Sequence, residues 1–288
     1  LELARGLSQR GYEVHLLGEL SEPQAYYLEH FPQLHFHQVR YLRGFWQVYQ
    51  LIRSHRIDLV HSYVYCFSEA GLLGAKLAGV PVLVEIGDDP ISCYFESRPE
   101  WKRYWGTWNE RLADYWLRLL LRAADGVATL SQHLLDWYGP RYQLGGRSGV
   151  FPQAANLEQF QPCEAGPFRR RLGFSDAHQL VHSIGTSAYL HGCHVLVDSI
   201  PAVLARLPQA RFVFTIGSPT AREEVEQRIG RLGLAPGLAV TQGLPGEELA
   251  LMHCASDLCL APHINECSRP LGCSPKKMSE YMGCGRTV

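Results

Sequence analysis

Apolar positions along the chain switch repeatedly between helical spacing and short unbroken runs, a pattern that predicts strands alternating with helices. Leu3, Ala4 and Leu7 share one face of an opening helix over 1–9. Gly11 suits the left-handed position that ends a helix, and Tyr12–Leu17 reads as the first strand. Further strands are predicted over 34–39, 57–61, 80–85, 180–185, 211–216 and 258–261. Helical spacing falls between them, over 42–56, 68–78, 101–124, 195–207 and 275–283. The expected architecture is α/β, with mostly parallel sheets flanked by helices.

Two helices carry aromatic stripes. Phe45, Trp46, Tyr49 and Ile52 predict a core-facing side with Arg40, Arg43, Arg53 and Arg56 solvated around it. Contact with a membrane surface is the other reading. Trp101, Trp105, Trp108, Leu112, Trp116 and Leu119 likewise predict core packing, with a carbohydrate or lipid acceptor platform as the alternative.

Composition narrows the class. A chain of 288 residues with 46% hydrophobic content suits two globular domains. The Pro-, Gly- and Arg-rich passage 161–179 is the expected boundary, giving domains 1–165 and 166–288. A net charge of −1 argues against a nucleic-acid partner, which needs a basic surface. Nine cysteines in no CxxC spacing predict reduced buried thiols and a cytoplasmic location rather than a disulfide or zinc framework. No apolar run reaches the length of a membrane helix. The chain starts without methionine inside a helix and stops just inside a strand, so it reads as a fragment.

Candidate chemistry gathers near the end. The strand 258–261 is stopped by Pro262, and a polar loop leads to Ser274-Pro275, a capping residue followed by a first-turn proline. Glu280 lies inside the helix that follows. In doubly wound sheets ligands bind beyond the carboxyl ends of the strands, and a carboxylate there suits ribose or sugar hydroxyls. By the same logic Gly185, ending a strand, lets backbone N–H groups approach a phosphate. Asp88 and Asp89 follow a central strand and are expected at the crevice. Their other readings are turn punctuation and a thin metal shell, and no metal is expected. His61 is read either as an acceptor-side residue or as a hydrogen-bonded strand-end histidine.

The segment Ser274-Pro275-x-Lys277-x-x-Glu280-Tyr281-Met282-x-x-Gly285-Arg286 resembles the donor site of retaining glycosyltransferases of family four. The stretches Leu7–Val14, Ile57–His61, Ala123–Ser131 and Phe151–Phe160 also resemble that family. The resemblance implies the GT-B fold, two facing Rossmann-like domains, and a sugar moved from a nucleotide-sugar donor with retention of configuration, without a cofactor or bound metal. It implies that the family's first strand and part of the C-terminal domain are missing. Glu280 would hold the nucleotide ribose. Its partner glutamate falls on Glu266 when counted from Pro262, or on Gly272 when counted back from Glu280. Thr186 and His191 stand where the family usually has the arginine and lysine that neutralise the diphosphate, with Lys277, Lys276 and Arg269 as other sources of charge. Gly217 and Leu244 join the donor side, the loop after 243 resembling the one that cradles the base. Glu266, Asp88 and His61 are the expected catalytic set. The expected acceptor is a sugar, lipid-linked or small molecule, with peripheral membrane contact a further expectation. The rivals are another GT-B enzyme, such as a nucleotide-sugar epimerase or sugar-phosphate synthase, and a non-catalytic binding protein.

Overall fold

The computed structural model describes residues 2–18, 29, 31–38, 44–64, 68–87, 99–185, 192–234, 238–262 and 275–288, with the backbone alone at 99–110, 238–239 and 242. The chain forms two compact units that divide between Pro152 and Gln153. The division precedes the expected 165/166 boundary because Phe160 and Ala165 already pack in the core of the second unit, against Phe168, Met252 and Cys284. The passage expected to be linker contains the helix Gly166–Arg171. There the buried Arg169 donates to Ala255 O at 2.9 Å and pairs with Asp257 at 3.0 Å.

In the first unit, β1 (His15–Gly18) pairs in parallel with β2 (His35–Gln38). Among the described residues a separate parallel sheet runs β3-β4-β5-β6, from Val60–Tyr63, Val82–Ile86, Gly126–Thr129 and Ser148–Val150. Val82, Val84 and Ile86 are fully buried, with Ala75, Leu121 and Tyr142 packed over them. Gly145–Arg147 forms a 3-10 turn leading into β6.

α1 is Glu2–Gln9, α2 Gly44–His55, α3 Ser68–Ala78, α4 Pro99–Ala123 and α5 Gln132–Tyr142. Close packing of the small-residue α3 has a direct cause at Gly74. A Cβ there would lie 2.6 Å from the Val48 side chain and 2.8 Å from Phe45 O.

Where their side chains are described, the aromatic stripes do not face the core as expected; those of Trp101, Trp105 and Trp108 lie outside the described residues. α2 buries Gly44, Val48 and Ile52, while Phe45 and Trp46 are exposed. α4 buries Leu117, Leu120 and Leu121, leaving Leu112, Tyr115, Trp116 and Leu119 outside. Both helices have apolar residues on more than one face, so spacing alone does not say which face meets the sheet.

The second unit carries β7 (Gln179–Gly185), β8 (Ala210–Ile216), β9 (Leu238–Gln242) and β10 (Leu258–Leu260) in the parallel order β10-β7-β8-β9. Thr287 bridges to Leu258 on the outer side of β10. Read in chain order this is 3-2-1-4-5, the doubly wound arrangement, with its switch point between β7 and β10. The helix 166–171 is α6, followed by α7 (Cys193–Arg206), α8 (Pro219–Arg231), α9 (Gly246–Ala255) and α10 (Lys276–Gly283). α7 and α8 pack on Phe212, Phe214 and Ile216. α6 and α9, with Cys284 at the end of α10, pack on Leu180 and Val213, so alternate residues of β8 serve the two faces. Among the described residues no helix is long and apolar enough to cross a membrane. Cys163, Cys193, Cys254, Cys259 and Cys284 are all free thiols.

Candidate functional site

The switch point of the second unit gathers residues that the sequence led us to expect on a donor side. Gly185 ends β7 and Gly217 follows β8, with Gly217 N donating to Gly185 O at 3.4 Å. A Cβ on Gly243, after β9, would lie 3.5 Å from Gly217 Cα. Three neighbouring strands thus end in glycine, leaving main-chain groups uncovered at the carboxyl edge of the sheet. Gly192, at the start of α7, is forced. Its φ is +64°, and a Cβ there would meet Pro262 O at 1.7 Å. As the N-cap it has no side chain to place over the amino end of α7, where the helix dipole favours an anion.

α10 closes this end of the sheet. Lys277 Nζ donates to Ile184 O at 2.6 Å, which holds its ammonium at the tip of β7. Tyr281, fully buried, accepts from Ile184 N at 3.2 Å and makes a longer bond to Leu260 O at 3.5 Å. Burial pushes its phenol pKa upward. Glu280 is only 6% exposed and pairs with Lys276 Nζ at 3.1 Å. The helix begins at Lys276 with Pro275 as a cap that makes no side-chain bond, one residue later than expected. Two lysines and no acid in a first turn run against the helix dipole, an arrangement suited to an anionic ligand.

Behind β7 lies a buried polar layer. His182 shares a hydrogen bond with Thr215 Oγ1 at 3.0 Å and another with His253 Nδ1 at 3.3 Å. Burial, with His253 and Lys277 nearby, holds His182 well below the usual histidine range, and burial lowers His253 to about 4. Both imidazoles are neutral at neutral pH.

In the first unit His61 sits second in β3 rather than at a strand end. Its Nε2 lies 2.8 Å from Glu85 of β4, whose side chain is nearly enclosed. Sequence reasoning missed Glu85 as a partner, although an acid inside the apolar run Val82-Leu83-Val84-Glu85-Ile86 was the available signal. Gly87 follows that strand because Tyr63 Oη would lie 1.7 Å from a Cβ there. The structure brings Gly185, Gly217, Lys277 and Glu280 to one end of one sheet. Leu244 packs instead against the apolar cluster around Phe160 and Met252. Asp88, Asp89, Thr186, His191, Glu266, Gly272 and Ser274 lie outside the described residues.

Comparison with known proteins agrees with this geometry. A family model described as Glycosyltransferase Family 4 matches residues 1–159. A D-inositol 3-phosphate glycosyltransferase of Streptosporangium roseum is 26% identical over 239 residues, covering 78% of this chain and 53% of the relative. A GDP-mannose-dependent alpha-(1-6)-phosphatidylinositol monomannoside mannosyltransferase of Mycolicibacterium smegmatis is 23% identical, covering 51% of this chain and 38% of its own. The chain thus spans about half the length, or less, of these curated relatives. Among solved structures, a sucrose-phosphate synthase from Thermosynechococcus elongatus superposes with a TM-score of 0.72 at 18% identity, covering 99% of this chain and 72% of its own. The Anabaena protein HepE, in complex with UDP and glucose, gives 0.69 at 19% identity, covering 99% and 74%. These structures are GT-B glycosyltransferases, the fold expected from the α/β pattern. The chain belongs to glycosyltransferase family 4.

Proposed function

We propose that this chain belongs to a retaining glycosyltransferase that moves a sugar from a nucleotide-sugar donor to an acceptor hydroxyl. The observation that carries the reading is the switch point between β7 and β10, where Gly185, Gly192, Lys277 and Glu280 converge. In this reading the positive amino end of α7 and the ammonium of Lys277 hold the donor diphosphate. They stabilise the charge that develops on it as the glycosidic bond breaks. The enclosed carboxylate of Glu280 accepts the ribose hydroxyls, since Lys276 occupies only part of its acceptor capacity. The names of the inositol phosphate and GDP-mannose-dependent relatives support a nucleotide-sugar donor and a polyol or lipid-linked acceptor. Free thiols support a cytoplasmic enzyme. The exposed Phe45 and Trp46 support peripheral membrane contact.

The test is titration of nucleoside diphosphates and nucleotide sugars into the complete protein and its Glu280→Gln variant, with folding checked by melting. Losing a charged acceptor for a bound hydroxyl costs roughly 1.5–3 kcal/mol, so the variant binds at least about tenfold more weakly. Undiminished affinity in a folded variant removes Glu280 from the donor site. If the unmutated protein binds no nucleotide at all, the donor reading itself falls.

A further inference from the structure

The first unit holds a group of side chains that glycosyl transfer does not use. Parallel pairing sets His15 opposite His35 and Leu17 opposite His37, so three histidines come to neighbouring positions of β1 and β2. His55, the last residue of α2, joins them. His15 Nδ1 lies 2.9 Å from His37 Nε2. The rings of His15 and His55 are 4.4 Å apart, and those of His37 and His55 are 5.8 Å apart. One ring nitrogen from each of His15, His37 and His55 lies within 4.8 Å of the others.

On its other side His15 Nε2 is 3.0 Å from Glu13 Oε1. His35 stands 3.9 Å from the same carboxylate and stacks on His15 at 4.6 Å.

We propose that His15, His37 and His55 form a binding site for a divalent transition cation of the zinc class, with Glu13 as the carboxylate that orients His15. Three features support it. An ionised Glu13 accepts from His15 Nε2–H, which fixes the tautomer and leaves the Nδ1 lone pair facing His37 and His55. That carboxylate–histidine arrangement recurs behind metal-ligating imidazoles. His15 and His37 are both half-buried, which shields their ring nitrogens from bulk water. Finally, α2 presents its carboxyl end at His55, where the helix dipole favours positive charge.

Tetrahedral zinc with bonds of 2.0–2.1 Å separates its ligand nitrogens by roughly 3.3 Å. His15 and His37 therefore have to part by only a few tenths of an ångström. In the metal-free state His37 Nε2–H donates to His15 Nδ1. On binding, that proton passes through solvent to His37 Nδ1, and the two freed lone pairs take the cation without net proton release. Imidazole ligands select zinc, cobalt, nickel or copper over magnesium or calcium. The site draws on the first residue of β1 and the last of α2, on different elements from those that carry Gly185, Lys277 and Glu280. Its effect would be to tie both strands to the end of α2.

The experiment uses the complete protein, stripped with a chelator and dialysed. Zn2+ is titrated calorimetrically and Co2+ by its ligand-field absorption. One equivalent per chain is expected, with a tetrahedral cobalt spectrum. His37→Ala and His55→Ala, each confirmed folded by melting, should weaken binding at least 100-fold. Glu13→Gln should weaken it about 10- to 100-fold. His133→Ala, on the exposed face of α5, should leave it unchanged. The proposal is overturned if the unmutated protein takes up no zinc saturably. It is equally overturned if His37→Ala and His55→Ala bind as well as the unmutated protein.

Discussion

In the first unit, His15 meets His37 at 2.9 Å on a two-stranded sheet, and the carboxylate of Glu13 reaches it from the solvent side. In the second, His182 meets His253 at 3.3 Å inside the core, where the next partners are the hydroxyls of Thr215 and Thr241. Both are imidazole pairs held off their usual pKa by burial. Their surroundings give them different work. A carboxylate behind an imidazole sharpens its lone pair, and an open edge admits an ion. Hydroxyls behind an imidazole satisfy it and keep ions out.

Cys259 adds a third potential ligand to the buried pair. Burial pushes its thiol up to about 12, however, so the thiolate that would ligate is strongly disfavoured. The buried cluster is therefore a neutral polar layer, and the open one is the candidate for a cation.

Acid gives the largest contrast. His253 has a folded pKa of about 4 against 6.5 for the free side chain. Between those values the unfolded chain binds more protons, so stability present above pH 6.5 is lost as pH falls towards 4. His253 alone accounts for about 3 kcal/mol of that loss, and His182 adds in the same direction. Urea melts at pH 7 and 4.5 should show the second unit losing more than the first. Equal losses would erase the distinction.

Zinc should act on the opposite unit. At a free concentration 100 times its Kd it stabilises the folded state by about 2.7 kcal/mol, visible as a raised melting temperature for the first unit only. A shift confined to the second unit would reverse the assignment of roles.

His253→Phe sharpens the comparison at lower amplitude. Nε2 of His253 is buried without a hydrogen-bond partner among the described residues. Its removal offsets the loss of the bond to His182, so stability at pH 7 should change by less than about 1.5 kcal/mol. The acid sensitivity should fall by half or more, and an unchanged acid limb would place the titration elsewhere. The smallest effect is expected for Glu13→Gln without metal. Glu13 is fully exposed, and differential scanning calorimetry should detect no shift at pH 7. A clear loss would mean that Glu13 serves the fold and not the ion.

The carboxyl end of the second unit's sheet was legible because its signals are local. Glycine after an apolar run marks Gly185 and Gly217, and the helix carrying Lys277 and Glu280 follows Pro275 directly. The open histidine cluster was not legible. Its residues come from three separated stretches, 13–15, 35–37 and 55, which the parallel register of β1 and β2 and the end of α2 bring together. Partnership across strands also hid Glu85, which His61 meets through the β3–β4 pairing. The Trp116 stripe misled for a different reason. Helical periodicity counts apolar residues, but which face is buried depends on what packs there, and Leu117, Leu120 and Leu121 won the core.

The phenol of Tyr281 has one further consequence. β10 pairs with β7 only as far as Leu260 opposite Ser183, so the ladder on that side stops before Ile184. The Ile184 amide is nevertheless bonded, to a hydroxyl carried by α10. A side chain serves as the last rung. Slow hydrogen–deuterium exchange at Ile184 therefore reports the docking of a helix rather than the integrity of the sheet. That single amide is a built-in gauge of whether α10 is seated on the sheet.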